Sequence, residues 1–397
     1  MIYLLLFIYL FYLTIKYDVL GGKQYKMTHF YIVLILLILI SGLRYRLGTD
    51  TYGYMNEFNE YHNLFLLKIE DFSIWRYQPF WILLNSLART IGGFVLVQFF
   101  VSILHICFLG SVLRRLSPSL LFSLLLFYYI FDYTMFNMEV MREAIAVSCF
   151  LMALLALDKG RIIHMFIYMT IAFLFHSFSL LVFFLYFFYF KILARKPILS
   201  IIFVLCTAAI CLIEKNFIIE LITHNMIGSD TIYTDVAITY AQSDRYGETF
   251  LSWKGILTIF TLPILYLGML FITKEYYHRY INLNPLIFNA AIYLASTLIL
   301  LRYSLAIIDR MYNYFHIFTF LLTALFFKYI YIKTKNQKQR ICAFSFLIFI
   351  PIFFAYKQYY RKDGLVDTEK NYSRYYPYSS IFDKTKDSKR ERIFYNK

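Results

Sequence analysis

The sequence predicts an all-α polytopic membrane protein with about twelve transmembrane helices, one re-entrant or interfacial helix and two larger extracytoplasmic loops. Three observations lead there. Hydrophobic residues make up 60% of the 397 and charged residues only 16%, with a mean hydropathy of +0.60. A soluble domain carries about a quarter charged residues. Apolar runs recur along almost the whole chain, each long enough to cross, or nearly cross, roughly 30 Å of hydrocarbon. The runs are continuous rather than alternating, which argues against a transmembrane β-barrel.

In order, the spans fall at 2–17, 29–43, 93–113, 118–132, 139–157, 162–176, 177–191, 198–213, 255–272, 285–301, 311–332 and 341–356. The first has neither a basic start nor a small-residue cleavage site, so it reads as a retained span rather than a signal peptide. The stretch PFWILLNSLART (79–90) is too short to cross and opens on Pro79, a residue favoured at a first helical position. It is the re-entrant or interfacial helix. Residues 162–191 read as two spans broken near His176, because basic loops flank the stretch on both sides. Residues 1–356 then form one transmembrane helical domain and 357–397 a polar C-terminal tail.

Charge sorts the loops. A net charge of +15 would suggest nucleic acid in a soluble protein, but here the basic residues sit in short loops between spans. They set orientation, and no nucleic-acid partner is expected. Lys23 and Lys26, Arg114 and Arg115, Lys159 and Arg161, Lys191 to Lys196, Lys274 and Arg279, and KTKNQKQR (333–340) alternate with the other loops and are cytoplasmic. The opposite face receives 44–78, 132–139, the turn at His176, 214–254, 302–310 and the tail after 356. The tail is itself basic, which runs against that placement.

Several chemistries find no support. The five cysteines all lie in apolar runs with no CxxC spacing, as small core hydrophobes do. No His, Asp and Glu cluster has metal-ligand spacing, so neither a metal nor a cofactor is expected. No glycine-rich phosphate loop precedes a helix, which argues against ATP-driven pumping within this chain.

The polar residues hardest to explain as anchors gather on the outer face. They are Arg44, Arg46 and Asp50 after the second span, Arg142 in NMEVMREAIAVSCF, His176 in FLFHSFSLL, and Asp309 and Arg310 in AIIDRMYNYF. Charges at or inside spans cost a few kcal/mol unless paired or hydrated. Each also has a plainer reading. Arg44 and Arg46 suit snorkelling to the interface. Glu139 stands three residues before Arg142, the spacing of a local ion pair. His176 suits a hydrogen-bonded turn, and Asp309 a helix N-terminus. Together, guanidiniums around one cavity suit a diphosphate headgroup, because arginine offers fixed, bidentate donors to phosphate oxygens. Asp50 and His176 add groups able to accept a hydroxyl proton. Some of the 38 tyrosines suit stacking on sugar rings.

GLRYRLGTDTYGY (42–54) resembles the first-loop signature of the EpsG family of membrane proteins, roughly R-Y-x-x-G-T-D-x-x-x-Y. YQPFWILLN (77–85), NMEVMREAIAVS (137–148), FLFHSFSLL (173–181), DRMYNYF (309–315) and YYPYSSIF (375–382) are similar to the family in the same order. Two positions depart from it. Gln78 stands before Pro79 where the family commonly has an acid, and Glu143 follows Arg142 where glutamine is usual. The resemblance implies a polymerase of bacterial surface polysaccharide, related in job to the O-antigen and capsule polymerases called Wzy. Such an enzyme moves a growing glycan from undecaprenyl diphosphate to a sugar hydroxyl of the next lipid-linked repeat unit, at the outer face of the cytoplasmic membrane. The implied partners are lipid-linked repeat units, the bilayer, a chain-length regulator and other polysaccharide-assembly proteins. Under this reading Arg142 and Arg310 hold the leaving diphosphate, Arg44 and Arg46 bind phosphate or orient sugar, Tyr54 lines the acceptor path, and His176 or Asp50 is the base. A different lipid-linked-sugar glycosyltransferase or ligase, a flippase or transporter, and a sugar acyltransferase stand as competing readings.

Overall fold

The computed structural model describes residues 2–74, 78–129, 132–213, 253–301, 307–334, 336–363 and 366–395. Residues 214–252 of the predicted outer loop at 214–254, and 302–306 of another, fall outside them. The described residues are overwhelmingly helical, with no strand among them. The chain forms two compact units, Met1–Leu180 with Thr323–Lys397, and Leu181–Leu322.

In the first unit α1 (Ile2–Thr14) runs on through a π turn (Ile15–Val19) and is followed by α2 (Lys26–Gly42). The polar segment after it folds as α3 (Thr49–Phe58), a 3-10 turn (Leu64–Leu66) and α4 (Asp71–Ile74). Then come α5 (Pro79–Ile91), α6 (Phe94–Leu116), α7 (Leu120–Tyr129), α8 (Asp132–Met138), α9 (Met141–Asp158) and α10 (Ile162–Phe175). The start of α5 at Pro79 is the one the missing proline N–H favours. α7 is apolar around nearly its whole circumference and buried throughout, as such a helix must be, and α9 is buried over most of its length. Gly160, in the left-handed region at φ 68°, ends α9. His176, extended at φ −155° and ψ 109°, breaks the 162–191 stretch into two helices.

The second unit takes up α11 (Phe178–Phe188) with its π turn (Tyr189–Leu193), then α12 (Pro197–Ile213), α13 (Trp253–Tyr280), α14 (Pro285–Leu301) and α15 (Ile307–Tyr312). α14 is its buried centre, held by Tyr186 Oη donating to Ile287 O (2.9 Å) and by Tyr189 Oη with Thr297 Oγ1 (2.7 Å). α16 (His316–Lys333) leads back to the first unit, which α17 (Gln337–Tyr360) and α18 (Ser388–Tyr395) complete.

Among the described residues, three helical stretches are long and apolar enough to cross a membrane by length and composition, namely Ile2–Val19, Phe94–Leu116 and Arg310–Lys333. The pair Leu120–Tyr129 and Asp132–Met138, bent by 66°, makes a fourth if counted as one span. Lys26–Gly42, Ile162–Phe175, Phe178–Leu193, Pro197–Ile210 and Pro285–Leu301 are apolar but shorter. At 1.5 Å per residue, 14 to 17 residues rise only about 21–26 Å, less than the hydrocarbon thickness. Helical architecture is therefore established, and a count of twelve crossings is not.

Polar contacts mark two ends of the first unit. At one, the buried Asp18 carboxylate accepts from Lys26 Nζ (2.6 Å) and from the Phe122 amide (2.9 Å) at the start of α7. Arg115 pairs there with Asp158 (2.8 Å), and Arg340 stacks on Tyr331 at 3.9 Å. The other end gathers the segment after α2, the α8–α9 junction, the start of α5, the break at His176 and the chain after α17. The first end gathers basic loops, and the second gathers the remaining loops together with the basic tail.

Candidate active site

The segment leaving α2 lays the foundation of the site. Arg46 takes a left-handed conformation (φ 51°), and Gly48 another (φ 87°). Only glycine fits at 48, because an added Cβ would lie 1.9 Å from the Met138 carbonyl oxygen. This close approach starts α3 against the α8–α9 junction. Thr51 Oγ1 donates to the same carbonyl at 2.5 Å.

Arg44 is sealed beneath that junction. It is 1% exposed and donates to Ser41 O, to Thr51 Oγ1 (3.1 Å) and to Met141 Sδ (3.0 Å). Burial pulls its pKa down to about 10, which leaves the guanidinium charged at neutral pH. Arg44 thereby ties the end of α2 to the starts of α3 and α9. Asp50 occupies the first turn of α3, half-buried, where a carboxylate complements the helix dipole.

Arg142, one residue beyond Met141, is half-buried in the first turn of α9. Its Nε donates to Tyr54 Oη (3.2 Å) and its Nη1 to Gln78 Oε1 (3.0 Å). The guanidinium also lies 5.6 Å from the centroid of the Tyr54 ring, which packs at 4.9 Å from the Trp81 ring. Gln78, the residue preceding α5, donates through Nε2 to Ser177 Oγ (3.3 Å). Ser177 adjoins His176, whose side chain is buried beside Phe178 at 5.7 Å between rings. The His176 amide donates to Ala172 O (2.8 Å) and its carbonyl accepts from the Ser179 amide (3.1 Å), so its backbone also forms the turn.

The tail closes over the first loop. Three backbone bonds join them, from Tyr45 N to Ser379 O (2.9 Å), Gly48 N to Arg374 O (3.0 Å) and Ile381 N to Leu43 O (2.9 Å). Arg46 grips Glu391 with Nε and Nη2 (3.1 and 2.5 Å) and stacks on Tyr52 at 4.4 Å. Tyr52 in turn lies flat on Phe394, with centroids 4.6 Å apart. Burial opposes the Arg46 charge, but hydrogen bonding and attraction from Glu391 outweigh it and raise its pKa. Arg390, almost fully buried, donates to Arg46 O (3.3 Å), Ser379 Oγ (3.0 Å) and Pro377 O. Arg374 bridges two carboxylates, Asp363 (Nε to Oδ2, 2.5 Å) and Glu139 (Nη1 to Oε1, 3.3 Å). Burial again opposes, and the two carboxylates prevail, holding Arg374 above the ordinary arginine range. Glu139 also accepts from the Thr49 amide and hydroxyl, both at 3.4 Å.

Of the residues singled out from sequence, Arg142 and Tyr54 are brought into direct contact, and His176 is reached through Gln78 and Ser177. Arg44 touches the neighbour of Arg142, whereas Arg46 is engaged by the tail. Arg310 lies on α15 of the second unit, half-buried. The Asp309 side chain falls outside the described residues. Glu139 serves Arg374 and Thr49 rather than the local pair with Arg142 that its spacing suggests. Gln78, Ser177, Arg374, Arg390 and Glu391 do not stand out in the sequence as site residues. The available signals are Gln78 itself, at the position that departs from the family pattern, and the place of Ser177 within FLFHSFSLL.

The sequence model of the EpsG family matches residues 27–380. That range holds the whole Arg142 cluster and Arg374, and stops short of Arg390 and Glu391. Neither a curated protein nor a solved structure matches the chain.

Proposed function

The chain belongs to the EpsG family, a family associated with exopolysaccharide biosynthesis, and from that premise we propose that it polymerises a surface polysaccharide. Its apolar helices and its family mark it as a membrane protein. In this reading they make about twelve crossings of the bacterial cytoplasmic membrane, and the end carrying Arg142 faces outward. The enzyme transfers a growing glycan from undecaprenyl diphosphate to a sugar hydroxyl of another lipid-linked repeat unit.

One observation carries the reading. Arg142, steadied by Tyr54 and Gln78, stands two hydrogen bonds, relayed by Gln78, from Ser177 and its neighbour His176, and all of them come from stretches that resemble the family. The chemistry divides between them. The bond from the anomeric carbon to the diphosphate oxygen breaks, and the oxygen keeps the electron pair. Arg142 binds that developing charge as a planar, two-pronged donor. The acceptor hydroxyl forms the new glycosidic bond and gives up its proton to His176 or Asp50. The assignment of Arg310 to the same diphosphate rests on the family resemblance. Arg44 and Arg46 are better suited to holding the first loop than to meeting phosphate, because Ser41, Thr51, Met141 and Glu391 engage them. Tyr54 would border the acceptor path.

Lipid-linked glycans of a deletion strain, resolved by leaflet, test the proposal. A polymerase predicts single repeat units accumulating on the outer leaflet. Accumulation on the inner leaflet alone would make the chain a flippase, and long glycans retained on lipid would make it a ligase.

A further inference from the structure

Between α3 and α4 the chain carries apolar side chains away from the protein. Leu64, Phe65, Leu66 and Ile69 are all exposed, Phe65 to 85% and Ile69 to 90%. The loop has a built base. His62 Nδ1 lies 3.1 Å from Asp71 Oδ2, and that carboxylate also accepts from the Lys68 amide (2.8 Å). Asn63 Oδ1 accepts from the Leu66 amide (3.1 Å), which fixes the 3-10 turn. The Leu64 amide donates to Thr90 Oγ1 (2.8 Å), pinning the loop to the last turn of α5. A pinned base under an apolar tip is wasteful in water and suited to lipid.

The surroundings identify the lipid. Leu87 and Ile91, four apart on α5, are exposed beside Thr90. Beyond Gly92 and Gly93, α6 exposes Leu96, Phe100 and Ile103, whose spacing makes one stripe. α6 is one of the three stretches long and apolar enough to cross a membrane. The Leu96 side chain lies against Gly92, where an added Cβ would lie 3.1 Å from Leu96 Cδ1, so the first residue of the stripe abuts the end of α5. We infer that the Leu64–Ile69 loop is a membrane hook, with Phe65 and Ile69 inserted among acyl chains at the edge of the bilayer that the α6 stripe faces. Exposed Lys68, one residue before Ile69, would then meet lipid phosphates. The hook holds the far end of the helix whose first turn adjoins Gln78, and so fixes the α5 axis relative to the bilayer. It rests on the membrane character of the chain and not on the polymerase reading.

The test uses the full chain with its five cysteines replaced, reconstituted in nanodiscs of phosphatidylethanolamine and phosphatidylglycerol. Nitroxide labels go on Phe65→Cys, Ile69→Cys and, as an aqueous reference, Glu60→Cys. Power saturation should show oxygen access exceeding that of a water-soluble nickel chelate severalfold at 65 and 69, and the reverse at 60. Nickel access at 65 equal to that at 60 would put the loop in water and overturn the inference. Low access to both reagents would also overturn it, by showing that a protein surface covers the loop. A Phe65→Trp variant in an otherwise native chain should gain quenching by brominated lipid, and no gain counts equally against the hook.

Discussion

Replacing Arg374 by glutamine tests whether the tail is held to the first loop by one buried charge network. Arg374 stands between Asp363, whose side chain is fully enclosed, and Glu139, whose side chain is 10% exposed. Removing the cation leaves two desolvated carboxylates facing each other. Breaking one buried pair costs about 3–5 kcal/mol because the survivor is an uncompensated charge. Glu139 keeps the Thr49 amide and hydroxyl, so the lower part of that range applies. The apolar packing of α7 and α9 does not pass through Arg374, so the damage is local. About 3 kcal/mol corresponds to roughly a hundredfold increase in opening.

Hydrogen exchange in detergent or nanodiscs reads this directly. Peptides covering 366–395 and 43–52 should lose about a hundredfold in protection, whereas α9 should be unchanged. Arg374→Gln combined with Asp363→Asn should recover a large part of the protection, since the carboxylate left without the arginine is then Glu139 alone, which keeps its Thr49 donors. Unchanged exchange in the single variant, or equal deficits in single and double variants, would refute the reasoning.

Other expectations rest on single contacts. Arg142→Lys should retain insertion and abundance yet lose long polymer, because an ammonium cannot replace a guanidinium held by Tyr54 and Gln78; normal chain lengths on a gel would count against Arg142 as the phosphate ligand. Gly48→Ala meets both a left-handed backbone and the Met138 carbonyl at 1.9 Å, so it should cost well over the roughly 1–2 kcal/mol of the left-handed penalty alone. Exchange of the Thr49–Phe58 peptide should show it. Arg46→Glu and Glu391→Arg should each loosen the tail, and the two together should restore much of it if the bidentate pair is the tie.

How much of the fold and the site was legible in the sequence depends on the range of the contact. Apolar runs and charged loops expose the helical class, because lipid forces backbone groups to be satisfied within each segment. The start of α5 at Pro79 and the break at His176 are local signals, and both sit in the structure where the residues put them. The span count is less secure, since an apolar run in sequence does not say how much of it becomes helix. Pairings across more than three hundred residues, such as Arg46 with Glu391, leave no periodic trace at all. Glu139 shows the trap in the other direction. Its spacing from Arg142 invites a local pair, and the tail supplies Arg374 instead.

The first-loop motif gains a physical meaning from these contacts. Its two arginines, two residues apart, point to different tasks because the chain takes a left-handed turn at Arg46 and another at Gly48. Arg44 goes inward and joins three helices, and Arg46 goes to the tail. Thr49 and Thr51 carry the same junction to Glu139 and Met138. What the motif then presents toward Arg142 is Tyr54, five residues beyond Thr49 on a helix so anchored. A cluster of arginines in sequence need not be a cluster around one ligand. Here two brace the loop that positions a third, the half-buried Arg142 on α9, which Gln78 links to the turn at His176.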